Sequence, residues 1–143
     1  MNDRCFLDTN IFIYSIDRRD AVKELKATEL IRDSLSSQKG VVSFQVVQEF
    51  FNAQKRMVAP MSTETAQLYL ERVFLPLLRV HSSVALYHEA LAFRSRYQLS
   101  WYDSLIVCAA LRAECTILFS EDLQHNQTFG QTFGKVLVVN PFL

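Results

Sequence analysis

Short apolar runs alternate along this chain with longer stretches whose apolar positions recur at helical spacing. That alternation predicts an α/β fold with a parallel sheet. Cys5-Phe6-Leu7 reads as a first strand, and Ile11 to Ile16 opens a helix. Residues near Ala21 to Leu35 predict a helix with Val22, Leu25, Ala27, Leu30 and Ile31 as its apolar face. Val41-Val42-Ser43, entered through Gly40, predicts a second strand. Gln45 to Met57 predicts a helix with Val46, Phe50 and Ala53 on one stripe, stopped by Pro60. Ser62 suits the cap of a further helix running to about Arg72. Leu77 to Val80 reads as a third strand. Ser83 to Tyr97 predicts a helix, with Leu86, Ala90, Phe93 and Tyr97 aligned. Ser100 caps another that runs through Arg112. Thr116 to Phe119 and Val136 to Val139 read as strands, and the polar segment from Ser120 to Gly134 between them as a loop.

This layout gives four acids a common position. Asp8 follows the first strand directly. Glu49 borders the apolar stripe of the helix after the second. Asp103 lies in the first turn after Ser100, and Asp122 follows the Thr116 to Phe119 strand. In a right-handed parallel sheet, strand ends and the helix starts after them share one edge, where such folds bind ligands. Each acid also has a plainer role. Asp8 or Asn10 suits a helix cap, Glu49 a rim position, Asp103 a capping box with Ser100, and Asp122 a turn. What favours a shared site is the repeated placement. Clustered carboxylates raise one another's pKa, and a hard divalent cation such as Mg²⁺ or Mn²⁺ removes that penalty. Such an ion suits phosphodiester hydrolysis, because it lowers the pKa of an attacking water and neutralises charge on the phosphate. Thr9, Asn10 and Ser120 are candidates for hydrogen bonds that aim the acids or the substrate.

Composition narrows the alternatives. The 143 residues, half of them hydrophobic, are expected to form a single domain spanning 1–143. No apolar run is long enough for a membrane span. Three cysteines without a C-x-x-C pair read as buried thiols, so a cytoplasmic location is expected. Fifteen basic and fifteen acidic residues balance, which argues mildly against a nucleic-acid binder. With the four candidate ligands set aside, however, the remaining scaffold is mildly basic. His81, His88 and His125 share no spacing with the cysteines that would suit zinc, and no nucleophile motif or glycine-rich phosphate loop is present. Phe50 with Phe51, and Trp101 with Tyr102, have the character of base-stacking residues, but such pairs more often put one ring in the core and one at its rim. Arg18, Arg19, Lys55, Arg56, Arg94 and Arg96 are cations within reach of a nucleic-acid backbone, or simply solvated charges.

Four blocks in order resemble the PIN-domain nucleases, and within them the VapC-type bacterial toxins: Leu-Asp-Thr-Asn-Ile, Ser-Phe-Gln-Val-Val-Gln-Glu-Phe, Leu-Ser-Trp-Tyr-Asp-Ser-Leu-Ile and Leu-Phe-Ser-Glu-Asp-Leu-Gln-His. The resemblance implies a three-layer α/β/α fold with a central parallel sheet. It implies Mg²⁺- or Mn²⁺-dependent endonucleolytic cleavage of RNA by Asp8, Glu49, Asp103 and Asp122. Ser120 takes the place of the small polar residue near the fourth acid, Thr9 follows the first acid, and Asn10 is expected to orient Asp8. Glu121 is expected to be a neighbour, not a principal ligand. A homodimer and a cognate antitoxin are also implied. Two other readings stay open: a non-catalytic PIN-like module that binds RNA or protein, and a DNA-directed 5′ nuclease.

Overall fold

The computed structural model describes residues 3–131 and 134–143. Its centre is a six-stranded sheet. The strands are β1 (Cys5–Leu7), β2 (Gly40–Ser43), β3 (Leu78–Val80), β4 (Ile117–Phe119), β5 (Thr128–Gln131) and β6 (Gly134–Val139). Their spatial order is β3-β2-β1-β4-β6-β5, and all pairs are parallel except β5 with β6. The order reverses between β1 and β4. Chain leaving β1 turns one way and chain leaving β4 the other, which opens a crevice at their carboxyl ends. Every residue of β2 is buried, as a parallel strand covered on both faces requires.

Helices form the outer layers. The first layer holds α1 (Thr9–Ile16), α2 (Ala21–Ser37) and α3 (Phe44–Gln54), which pack together and against β2. In the second, α6 (Val84–Tyr97) packs on α7 (Trp101–Arg112), which crosses β2, β4 and β6. Besides α1, four of the described helices begin at a side chain that accepts a backbone N–H. Asp20 caps α2, Ser62 caps α4 (Thr63–Tyr69), Ser83 caps α6 and Ser100 caps α7. No helix among the described residues is long and apolar enough to cross a membrane.

The predicted strands and main helices form, with four corrections. The helix after β2 ends at Gln54, short of Met57. The helix from Ser62 does not end near Arg72. It widens at Leu70–Phe74 into a turn in which the Leu75 N–H reaches Leu70 O, and continues as α5 (Leu75–Leu77). Pro76 has no N–H to keep an α-helical ladder going. The wider turn delivers Phe74, fully buried, into a ring cluster with Phe12 and Phe50 at 4.9 and 5.1 Å. On α2, Val22 and Leu25 face solvent, and Ala27, Ile31 and Ser34 are the buried positions.

The fourth correction falls in the segment read as a loop, which contains β5. Phe129 is fully buried there, edge-on to Tyr97 at 5.0 Å. Gly130 takes φ 110°, where a Cβ would lie 2.1 Å from Gly134 O. A single apolar residue among polar ones carries no periodicity, so only pairing with β6 makes this segment a strand. Thr132 and Phe133, within the same predicted loop, lie outside the described residues.

Candidate active site

Asp8 leaves β1 at the reversal point, and its own N–H donates to Phe119 O of β4 at 3.0 Å. The side chain is 5% exposed. Its Oδ1 accepts the Thr9 N–H at 2.7 Å, so Asp8 does cap α1. Its Oδ2 accepts the Ser120 hydroxyl at 2.7 Å. Cap and site residue are therefore not alternatives, since each carboxylate oxygen keeps a second lone pair. Ser120 is wholly buried, and its Oγ also accepts the Asp122 N–H at 3.1 Å. One hydroxyl thus fixes the first acid and the loop that carries the fourth.

Two further bonds tie in the remaining acids. Thr9 Oγ1 donates to Glu49 Oε1 at 3.3 Å. Asn10 Nδ2 donates to Asp122 Oδ2 at 3.1 Å, so Asn10 orients the fourth acid and not Asp8 as expected. Thr9, Asn10, Glu49 and Asp122 line one pocket of about 470 Å³. Neither Asp8, which is buried beneath, nor Asp103 lines it. The Asp103 N–H donates to Ser100 Oγ at 3.1 Å, and its carboxyl feels the Asp122 charge. Among the described residues, no group of three or more His, Cys, Asp or Glu side chains is already gathered as a metal cage.

Burial and mutual repulsion shape the charge. Burial lifts the Asp8 carboxyl to about 7; hydrogen bonds from Ser120 and Thr9 hold it down, and the charges of Asp122 and Glu49 push it up. Burial also raises Glu49, with Asp122 and Asp103 adding to the rise. Asp103 is raised by burial and then by Asp122. The acids therefore feel one another's fields, and Asp8, Glu49 and Asp103 are harder to ionise than they would be in water. The donor set is entirely oxygen, which matches Mg²⁺ or Mn²⁺. A buried acceptor, Asn10 Oδ1, is unpartnered at the same place.

Glu121 lines the same pocket, but its carboxylate is engaged by Tyr14 and Lys23. It accepts from Tyr14 at 2.5 Å and from Lys23 at 2.6 Å. Burial pushes its carboxyl up, but those two hydrogen bonds and the Lys23 charge outweigh it and hold it low. Lys23 also lies 4.4 Å from the Tyr14 ring centre. Tyr14 is four residues after Asn10 on α1, so it shares that helix face; this was the available signal for it. Lys23 carried none, because its role depends on how α2 folds back on α1. His125, which shares no metal-ligand spacing with the cysteines, is partly buried and accepts the Asn140 N–H through Nδ1 at 3.0 Å.

The PIN domain sequence profile matches residues 5–128, which takes in all four acids. The chain belongs to the PIN-domain family. No curated protein matches this PIN domain significantly in sequence. Solved structures similar to it include FitAcB from Neisseria gonorrhoeae, with a TM-score of 0.63 at 16% identity over 96% of this chain and 98% of that one. A toxin-antitoxin complex from Klebsiella pneumoniae gives 0.59 at 17% over 81% and 84%. VapC20 from Mycobacterium tuberculosis, a Sarcin-Ricin loop cleaving toxin, gives 0.60 at 18% over 82% and 91%. These likenesses concern the fold of this PIN domain.

Proposed function

We propose that this PIN domain is a divalent-metal-dependent endoribonuclease and the toxin of a toxin–antitoxin pair. The observation that carries the reading is Asp8, a carboxyl buried at the β1/β4 reversal point and held by Ser120 and Thr9 within the field of Asp122 and Glu49. Nothing in helix capping requires so many acids around one buried carboxyl. Asp8, Glu49, Asp103 and Asp122 would hold Mg²⁺ or Mn²⁺. The bound ion supplies Lewis acidity, which activates water and neutralises charge on the phosphate.

The remaining work falls to the chain itself. Ser120 holds Asp8 in one orientation, Thr9 steadies Glu49 and Asn10 steadies Asp122. A second pocket, also about 470 Å³, shares Asp17, Arg19 and Ala53 with the acidic one and adds Arg18 and Arg56. These cations flank the acids and suit the phosphates of a strand crossing the site. Water, not the RNA 2′-hydroxyl, is the nucleophile, so the products carry 5′-phosphate and 3′-hydroxyl ends.

The toxin part of the reading draws on relatives, one of them solved in a toxin-antitoxin complex and another described as an RNA-loop-cleaving toxin. A cognate antitoxin, a homodimer and a cytoplasmic location belong to the same proposal; three free thiols suit that compartment. The test is RNA cleavage with Mn²⁺, comparing wild type with Asp8→Asn and with excess EDTA, with single-stranded and flap DNA in parallel. Loss of cleavage in both RNA arms is expected. Full activity in either would overturn the reading, and a preference for DNA would move it to a 5′ nuclease.

A further inference from the structure

Two buried side-chain polar atoms have no hydrogen-bond partner among the described residues, Asn10 Oδ1 and Ser43 Oγ. The first belongs to the acidic pocket. The second lies elsewhere. Ser43 is 4% exposed and stands at the start of α3, yet its hydroxyl does not make the cap bond that Ser62, Ser83 and Ser100 make on their helices. Other buried serines are satisfied: Ser34 by Leu30 O, Ser104 by Ser100 O and Ser120 by Asp8.

Ser43 lines a separate pocket of about 210 Å³, smaller than the roughly 300–1,000 Å³ of sites for drug-sized ligands. Its apolar lining includes Val80, Leu86 and Leu105. Two aromatic pairs line it as well, Phe44 against His81 at 4.4 Å and Tyr87 against Trp101 at 5.7 Å. Gln45 and Gln48 add amides. Flat rings with a few fixed donors and acceptors are what recognises one unstacked base of a single strand.

The pocket adjoins the acidic site. Gln45 Nε2 donates to Tyr102 O at 3.2 Å, next to Asp103, and the Gln45 side chain also bonds Glu49 one helical turn on. A strand with a phosphate at the acids can therefore place a neighbouring base here. We propose that this pocket takes up one nucleobase beside the cleaved phosphate, with Ser43, Gln45 and Gln48 reading its edge, and that it sets the cleavage sequence. The assignment of the base to a cleaved strand rests on the nuclease reading above.

Trp101 is the sole tryptophan, so its fluorescence reports occupancy without any cleavage. Titration of the full chain with each of the four nucleoside 5′-monophosphates, and with ribose 5-phosphate, is the first measurement. A saturable change with at least one nucleotide, unequal affinities among the bases and none for ribose 5-phosphate are expected. Ser43→Ala should weaken the preferred nucleotide about tenfold, the effect of leaving its polar group unpaired. Its melting temperature should hold or rise, since the hydroxyl it loses makes no internal bond. Equal response to ribose 5-phosphate, equal affinity for all bases or undiminished binding by Ser43→Ala would overturn the pocket. Sequencing the ends of cleaved RNA is the second measurement, and Gln48→Ala should flatten the base preference next to the cut. Nucleotide binding with RNA left uncut removes the nuclease reading alone. RNA cut with no base preference and no fluorescence change removes the pocket alone.

Discussion

Ser120 Oγ and Asp8 Oδ2 lie 2.7 Å apart across 112 residues of sequence, and this bond joins the two strands between which the sheet order reverses. Ser120→Ala should release both Asp8 and the Asp122 N–H. Metal affinity and cleavage should each fall about 10–100-fold, as when a group that orients a ligand is removed. Stability should fall by about 1–3 kcal/mol because buried partners lose a bond. Calorimetric Mn²⁺ titration and thermal melts check both parts.

The raised Asp8 carboxyl makes stability depend on pH. Its folded value, about 7, lies above the 3.8 of an ordinary aspartate. Between those values the folded state binds more protons than the unfolded state, so stability falls as pH rises through that window. Metal-free protein should melt higher at the acidic end than at neutral pH. Asp8→Asn should flatten the slope, and Mg²⁺ should raise the melting temperature more at neutral pH than at acid pH. Asp17, held at about 2 chiefly by its hydrogen bonds from Arg19, has the opposite sign. Its contribution is lost only below the window, as pH falls from 3.8 toward 2. Melts over a pH series, with and without Mg²⁺, decide the matter.

Glu121 and Glu49 should separate under the same substitution. Glu49→Gln removes a carboxylate from the acidic pocket and should cut activity at least a hundredfold. Glu121→Gln disturbs the bonds to Lys23 and Tyr14. It should cost about 0.5–1.5 kcal/mol of stability and change the cleavage rate only a few-fold. Rate measurements on the pair, at saturating Mn²⁺, make the comparison.

Gly40→Ala should destabilise the fold without touching the site. A Cβ there would lie 2.5 Å from Ser34 Cβ and 3.0 Å from Leu77 Cδ2. The approach of α2 to the start of β2 leaves no room for it. A loss of about 1–3 kcal/mol is expected, the range for overpacking a core. Denaturant melts of the variant provide the check.

Periodicity and end signals determined much of this protein by themselves. Asp8, Asp103 and Asp122 each follow a short apolar run or a serine cap, local features that survive without tertiary context. The same is true of Ser62 and Ser100 as caps and of the fully buried Val41-Val42 strand. Strand β5 was hidden because Phe129 is the one apolar residue in Thr128–Gln131 and the strand's stability comes from pairing with β6. The wide turn at Leu70–Phe74 was hidden because periodicity signals an α-helix and not a wider turn, and burial of Phe74 in the ring cluster is what holds it. Within the site, the sequence nominated Asn10 and Ser120 but not their partners. Asn10 turns to Asp122, and Ser120 alone spans Asp8 and the Asp122 backbone. Ser43 is the plainest case. A serine before a helix reads as a cap, and only the packing around it shows that its hydroxyl is buried with nothing to bond. Local sequence fixes which backbone a residue prefers, but hydrogen-bond partners more than a hundred residues apart are chosen by how the layers close.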